Sequence, residues 1–252
     1  KGSMYKIYNR NLLYHGCIPL NEDGTFKEIQ VYDKVYKGKE LYDVLETYVR
    51  KAFVAVDERE KEKGKDILWF IWSSPSSPLF GKDKMATFER YFLAEEETHK
   101  ENKNAYYKFL EDEAVADRIL QEFHVTGECT HIVNGHVPVH HGAGESPIKC
   151  GGKLLIIDGG FSRAYQKETG IAGYTLIYNS WGMILAAHEP FTSAADAISK
   201  ESDILSDSIL VKRTVKRKTV GETDIGMKLK ERIAELEELL AAYRDGLLIE
   251  KS

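Results

Sequence analysis

Residues 130–142 read Thr130-His131-Ile132-Val133-Asn134-Gly135-His136-Val137-Pro138-Val139-His140-His141-Gly142. A short β-branched run, Thr130 to Asn134, has the length and composition of a strand, and it delivers the backbone to a Gly-His turn. The same alternation of apolar strand and glycine-rich turn continues downstream. Lys153 to Asp158, Thr175 to Tyr178 and Met183 to Ala187 read as strands, the last two joined as a hairpin by Asn179-Ser180-Trp181-Gly182. Upstream, Tyr5 to Tyr8 and Asn11 to Tyr14 read as two short strands, the second ending at His15-Gly16-Cys17-Ile18-Pro19, and Asn21 to Gly24 reads as a turn.

Between these strand-rich ends the period changes. Leu41, Val44, Leu45, Tyr48, Val49 and Ala52 recur every three or four residues, which predicts a helix from Glu40 to about Lys63. Ile67 to Trp72 reads as a buried strand, and Ser73 to Pro78 as a polar loop whose prolines exclude a helix. Further helices are expected at Met85–Leu93 and Asn104–Phe123, a strand pair across Ile209–Val220, and a closing helix from Asp224 to Asp245 capped by Thr223 and stopped by Gly246. The apolar stripe of that last helix, Leu229, Ile233, Leu236, Leu240 and Tyr243, is expected to pack on the chain's own core, with self-association into a homo-oligomer as the alternative. Mixed strands and helices place the chain in the α/β class.

Composition narrows the functional classes. Of 252 residues, 42% are hydrophobic and 30% charged, enough apolar material for a folded core. The 35 Lys+Arg and 40 Asp+Glu leave a net charge of -5, so there is no global basic field to hold nucleic acid or an anionic membrane. No apolar run approaches the ~20 residues that cross a bilayer, and the N-terminus lacks the apolar middle of a secretory signal. Three cysteines with no CxxC pair disfavour both a disulfide framework and a structural zinc site. A cytoplasmic protein is expected.

Three segments carry chemistry. Imidazole is a common ligand for Zn, Mn and Fe, and a strand-end loop fixes it in place, so His136 is a candidate metal ligand; the alternative is a histidine that only bonds backbone carbonyls in a polar turn. His140 and His141 are weaker candidates, since neighbours in an extended chain point opposite ways. His15 has the same setting of strand, His, Gly and turn. In Asp158-Gly159-Gly160-Phe161-Ser162-Arg163-Ala164-Tyr165 the glycines permit close backbone approach and Arg163 suits a phosphate or carboxylate, the alternatives being a turn residue and a surface ion pair. It is not a dinucleotide fingerprint, because the GxGxxG order is missing.

Tyr14-His15-Gly16-Cys17-Ile18-Pro19 resembles the HGG-x-x-P segment of the phosphoprotein phosphatases, with Cys17 in place of the second Gly and the proline one residue nearer. Asn134-Gly135-His136-Val137-Pro138 resembles the later GH-x-P segment of the calcineurin-like metallophosphoesterases. With Ser77-Pro78-Leu79-Phe80-Gly81-Lys82-Asp83-Lys84-Met85, the long run Lys153 to Asn179 and the closing helix, nearly the whole chain is similar to the C-terminal part of class III (Firmicutes-type) fructose-1,6-bisphosphatase. The resemblance implies a metallophosphoesterase sandwich of mixed sheets flanked by helices across residues 1–195, with a helical insertion at about 40–123 and an extension of strand and helix over 196–252. It also implies two divalent ions, typically manganese, and in-line attack of an activated water on the C1 phosphate of fructose 1,6-bisphosphate in gluconeogenesis. His15 and His136 match the family's two late histidine ligands, and His140 stands where related enzymes place another. Lys149, Arg163 and Tyr165 are implied phosphate or sugar contacts.

The superfamily's first three motifs, GDxH, GDxxDR and GNH[DE], are missing, for no Gly in this sequence is followed by Asp or Asn. These motifs supply the bridging carboxylate and the general acid, so catalytic residues cannot be named. Hard divalent ions need oxygen ligands that two histidines do not provide. The chain therefore reads as the downstream part of a longer enzyme, its first residues continuing from upstream, with a truncated gene or an engineered fragment as alternatives. Alone it is expected to be inactive and to expose apolar strand edges. Other readings are a phosphatase of the same superfamily with another substrate, or a non-catalytic sugar-phosphate-binding or regulatory module.

Overall fold

The structure, a computed structural model, describes residues 2–159, 166–190, 193–201, 206–214 and 216–248. Its centre is a five-stranded sheet of β1 (Tyr5–Tyr8), β2 (Asn11–Tyr14), β5 (His131–Asn134), β6 (Ile148–Lys149) and β7 (Leu154–Ile156), in the order β1-β2-β5-β7-β6. Strands β2, β5 and β7 run parallel, with Leu12 opposite Ile132 and Ile132 opposite Leu154, and the antiparallel β1 and β6 form the edges. A two-stranded hairpin, β3 (Ile29–Val31) and β4 (Lys34–Tyr36), lies apart from it. The last sheet is antiparallel, with β8 (Gly173–Asn179), β9 (Gly182–His188) and β10 (Ser206–Arg213) in the order β10-β9-β8.

The period-two rule places the two cores. Along β5 and β7, Ile132, Leu154 and Ile156 point into a cluster with Tyr42, Tyr106, Ile119, Leu120 and Phe123 from the helical region. Their neighbours Val133 and Leu155 point the other way, onto Met183 of β9, with Leu176 and Val211 packed alongside. The central sheet thus has helices on one face and the antiparallel sheet against the other, an α/β layering with mixed sheets. Strand β10 pairs with β9 through seven residue pairs, across the boundary expected near residue 195.

The helices are α1 (Gly38–Val54), α2 (Glu58–Ser73), the short α3 (Thr87–Phe92), α4 (Glu113–Glu122), α5 (Gln166–Thr169), α6 (Ala194–Ser199) and α7 (Asp224–Arg244). Three expectations fail here. The run Ile67–Trp72 is not a strand but the end of α2, whose start Asp57 caps by accepting the Arg59 N–H. Only Ile67 and Ile71 are buried, four residues apart on the α1-facing side, whereas Leu68, Trp69 and Trp72 are exposed. Gly64 lets α1 and α2 touch, because a Cβ there would stand 2.0 Å from that of Ala52. The predicted helix over 104–123 is interrupted: a 3-10 turn at Ala105–Lys108 is followed by a fresh start at Asp112, which accepts from the N–H groups of Ala114 and Val115. In place of a strand pair over 209–220, the described residues there hold the end of one strand, β10, which stops at Arg213 and pairs with β9 in its sheet.

Helix α7 begins at Thr223, as expected, and its stripe is solvent-exposed. Leu229, Ile233, Leu236, Leu240 and Tyr243 are each about half exposed, and only Gly226 of the helix is buried. Among the described residues the most exposed large apolar side chains, Phe53, Val56, Tyr91, Phe92 and Ile198, lie on or beside helices rather than along strand edges. Among the described residues no helix is long and apolar enough to cross a membrane.

Candidate active site

Three parallel strands end on the same side of the central sheet, and ligand sites of open α/β sheets form at the carboxyl ends of such strands. His15 follows β2, His136 follows β5 and Asp158 follows β7. Backbone bonds lock the three loops together. The Gly135 N–H donates to His15 O at 3.0 Å, Ile157 N–H to Asn134 O at 2.9 Å, and Val139 N–H to Asp158 O at 2.9 Å. The buried Asn134 side chain donates to Gly16 O at 3.0 Å, and Cys17 N–H donates to Pro78 O at 2.9 Å, which brings in the loop after α2.

These ties bring together two imidazoles 121 positions apart in sequence. His15 Nε2 lies 3.1 Å from His136 Nδ1, with ring centroids 4.9 Å apart. His136 Nε2 lies 2.8 Å from the Phe80 carbonyl, and because a carbonyl only accepts, this nitrogen carries the proton. Nδ1 is then left with a lone pair directed at His15. Burial lowers the pKa of His136, and the nearby charges of His15 and Lys82 lower it further; the Phe80 bond and Asp158 act the other way and do not reverse it. His136 also adopts the left-handed conformation, φ 69°, uncommon for a residue with a side chain and characteristic of strained functional turns.

The pair suits two ligand positions of one ion. At metal–nitrogen distances of about 2.1 Å, two ligands on one tetrahedral or octahedral ion stand roughly 3.0–3.4 Å apart, and the observed separation is 3.1 Å. The Phe80 carbonyl fixes the tautomer and ring orientation, as partners of metal-ligating histidines do. Among the described residues no three His, Cys, Asp or Glu side chains group into a metal site, so the pair does not complete one.

The other expected site residues are more scattered. His140 is exposed, and its N–H donates to Glu145 at 2.9 Å. His141 Nδ1 lies 3.2 Å from the Tyr174 hydroxyl. The Lys149 ammonium, with an 11% exposed side chain, stands 3.4 Å from Glu111 and 3.3 Å from Glu145, two carboxylates for one cation. Arg163 and Tyr165 lie outside the described residues. A cavity of about 600 Å³ opens over the histidine pair, lined also by Trp72, Phe80, Lys82, Arg90 and Glu101. No motif in the sequence singles out these last three. Lys82 sits in the quoted Ser77–Met85 segment, but nothing in the pattern shows Arg90 and Glu101 folding back onto it.

The family described as Firmicute fructose-1,6-bisphosphatase matches residues 1–245. A "Fructose-1,6-bisphosphatase class 3" from Clostridium novyi (strain NT) is 55% identical over 252 residues, covering 100% of this chain and 38% of the relative. The protein of the same name from Clostridioides difficile (strain 630) is 56% identical over 251 residues, again covering 38% of its length, and one from Listeria monocytogenes serotype 4b (strain CLIP80459) is 53% identical over 251 residues. The chain thus spans well under half the length of the curated relatives it matches. No solved structure matches it. With identity above half across the entire chain, this protein belongs to the Firmicute fructose-1,6-bisphosphatase family.

Proposed function

We propose that the chain forms part of the active site of a metal-dependent phosphohydrolase that removes the C1 phosphate of fructose 1,6-bisphosphate, in the cytoplasm and in gluconeogenesis, with manganese as the metal. The observation that carries this reading is the 3.1 Å approach of His15 Nε2 to His136 Nδ1 at the ends of adjacent parallel strands. His15 and His136 hold the ion, and Phe80 keeps His136 presenting Nδ1. A bound divalent ion lowers the pKa of water and neutralises charge on the phosphoryl group. The exposed Trp72 and the Phe80 segment wall one side of the cavity, limiting water there. The oxygen ligands come from outside the described residues, and the sheets belong to a calcineurin-like sandwich.

Manganese is paramagnetic, which makes the reading testable on the 252-residue chain itself. Added Mn2+ is expected to broaden the imidazole resonances of His15 and His136 before those of His140, His141 or His188, and His15→Ala or His136→Ala should remove the selectivity. In a polypeptide of the relatives' full length, either substitution should lower manganese-dependent phosphate release from fructose 1,6-bisphosphate at least a hundredfold. Uniform broadening over all histidines, or undiminished release, contradicts the reading.

A further inference from the structure

The cavity over the histidine pair also holds a cluster of cations. Glu101, with a side chain only 12% exposed, receives Lys82 Nζ at 2.7 Å on one oxygen; on the other it receives the Ala86 N–H at 3.0 Å and faces Arg90 Nη2 at 3.4 Å. Burial alone would raise this carboxyl's pKa, but the bonds from Lys82 and Ala86 and the charges of Lys82 and Arg90 outweigh it and hold the pKa below its ordinary value. One carboxylate faces two cations here, a local excess of positive charge. At Lys149 the ratio is reversed, two carboxylates to one ammonium, so that site is the poorer host for an anion.

The two cations are also placed to reach a ligand. The Lys82 side chain is 32% exposed and that of Arg90 54%, both on the cavity lining, which Glu101 shares with its less exposed carboxylate engaged by both cations. Arg90 is further steadied by donating to His99 O at 3.3 Å. A guanidinium and an ammonium converging from a common carboxylate give a phosphate both a planar fork of donors and a point charge. The cavity volume lies in the range that encloses a small ligand. Leu68, Trp72, Leu79 and Met85 line it too, an apolar wall suited to the carbon face of a sugar ring.

We propose that Lys82 and Arg90, positioned by Glu101, bind the phosphate of a sugar bisphosphate that is not cleaved, the C6 phosphate in fructose 1,6-bisphosphate. The identity of the sugar rests on the function proposed above; the anion subsite rests on the geometry of these three side chains. A bisphosphate carries two charged groups, and one cavity lined by both the histidine pair and the paired cations accounts for both.

Metal-free titration separates the two claims. Fructose 6-phosphate, which has this phosphate and lacks the scissile one, is titrated calorimetrically into the 252-residue chain without divalent ions. The wild-type chain should bind it and not unphosphorylated fructose, with an affinity that weakens as salt rises. Lys82→Met with Arg90→Met should raise the Kd at least tenfold, Arg90→Lys should restore part of the loss of Arg90→Met, and Lys228→Met on the exposed face of α7 should change nothing. Circular dichroism checks that each variant folds, and the single Arg90→Met variant carries the test if the double one does not. Equal binding by wild type and variants, or no binding by wild type at millimolar ligand, overturns the subsite. The manganese result at His15 and His136 is independent of either outcome.

Discussion

Asn9 and Asp224 close on each other by reciprocal hydrogen bonds: the Asn9 N–H donates to the Asp224 carboxylate at 2.6 Å, and the Asp224 N–H donates to the Asn9 side-chain oxygen at 3.0 Å. The contact ties the β1–β2 turn, where Asn9 and Arg10 both have positive φ, to the first turn of α7. A carboxylate at a helix start also favours the helix dipole. Asp224→Ala should cost about 1–2 kcal/mol in urea unfolding and raise amide exchange in the first turns of α7, with the central sheet unaffected. Uniform exchange changes throughout the protein would refute a local tether.

Gly16 stands where the His15 loop meets the Pro78 loop. A Cβ on residue 16 would lie 2.4 Å from Pro78 O and 3.0 Å from Leu79 O, both backbone atoms that cannot rotate away. Gly16→Ala must therefore push apart the segments carrying His15 and Phe80. Overpacking of this kind costs about 1–3 kcal/mol, and the stability loss should come with a weaker preference of Mn2+ for His15 over the other histidines. A variant as stable as wild type would show that these loops give way more easily than their bonds indicate.

Legibility in the sequence followed the range of the forces involved. Strands β5, β7, β8 and β9 and the cap of α7 at Thr223 were readable because β-branched runs, glycine turns and a capping threonine act over a few residues. The run Ile67–Trp72 misled because a short apolar stretch fits either period; Asp57 and the Lys/Glu pairs of α2, such as Lys61 with Glu58 at 2.6 Å, were the signals for helix. His15 and His136 stood out by their Gly neighbours, but their meeting depends on β2 and β5 being parallel neighbours, which no local pattern states. Glu101 was invisible for the same reason, since its partners at positions 82 and 90 are brought to it only by the loop's return.

The stripe of α7 gives a direct test of its exposed setting. Leu236 is 48% exposed, so Leu236→Lys should shift the unfolding free energy of this chain by no more than about 0.5 kcal/mol, as surface substitutions usually do. A side chain packed in a core would cost about 2–5 kcal/mol on truncation alone. A loss of that size by chemical denaturation would mean that the helix lies against the body of the protein.

His131 sets the acid limb of stability. The residue is 5% exposed in the fully buried strand β5, and its Nδ1 has no hydrogen-bond partner. Burial, aided by the charges of Lys212 and Lys218, lowers its pKa from 6.5 to about 4. Because the folded-state value is the lower one, the unfolded chain binds a proton between these pH values that the folded chain refuses. This group's effect is thus absent above about pH 6.5, grows destabilising as pH falls from 6.5 to 4, and levels off below. Between pH 7 and 4.5 the loss from this residue is about 2–3 kcal/mol. His131→Phe keeps a ring of similar size and cannot titrate, so its urea midpoint should fall less steeply with acid than that of wild type. Parallel pH profiles for the two proteins would remove His131 from the account.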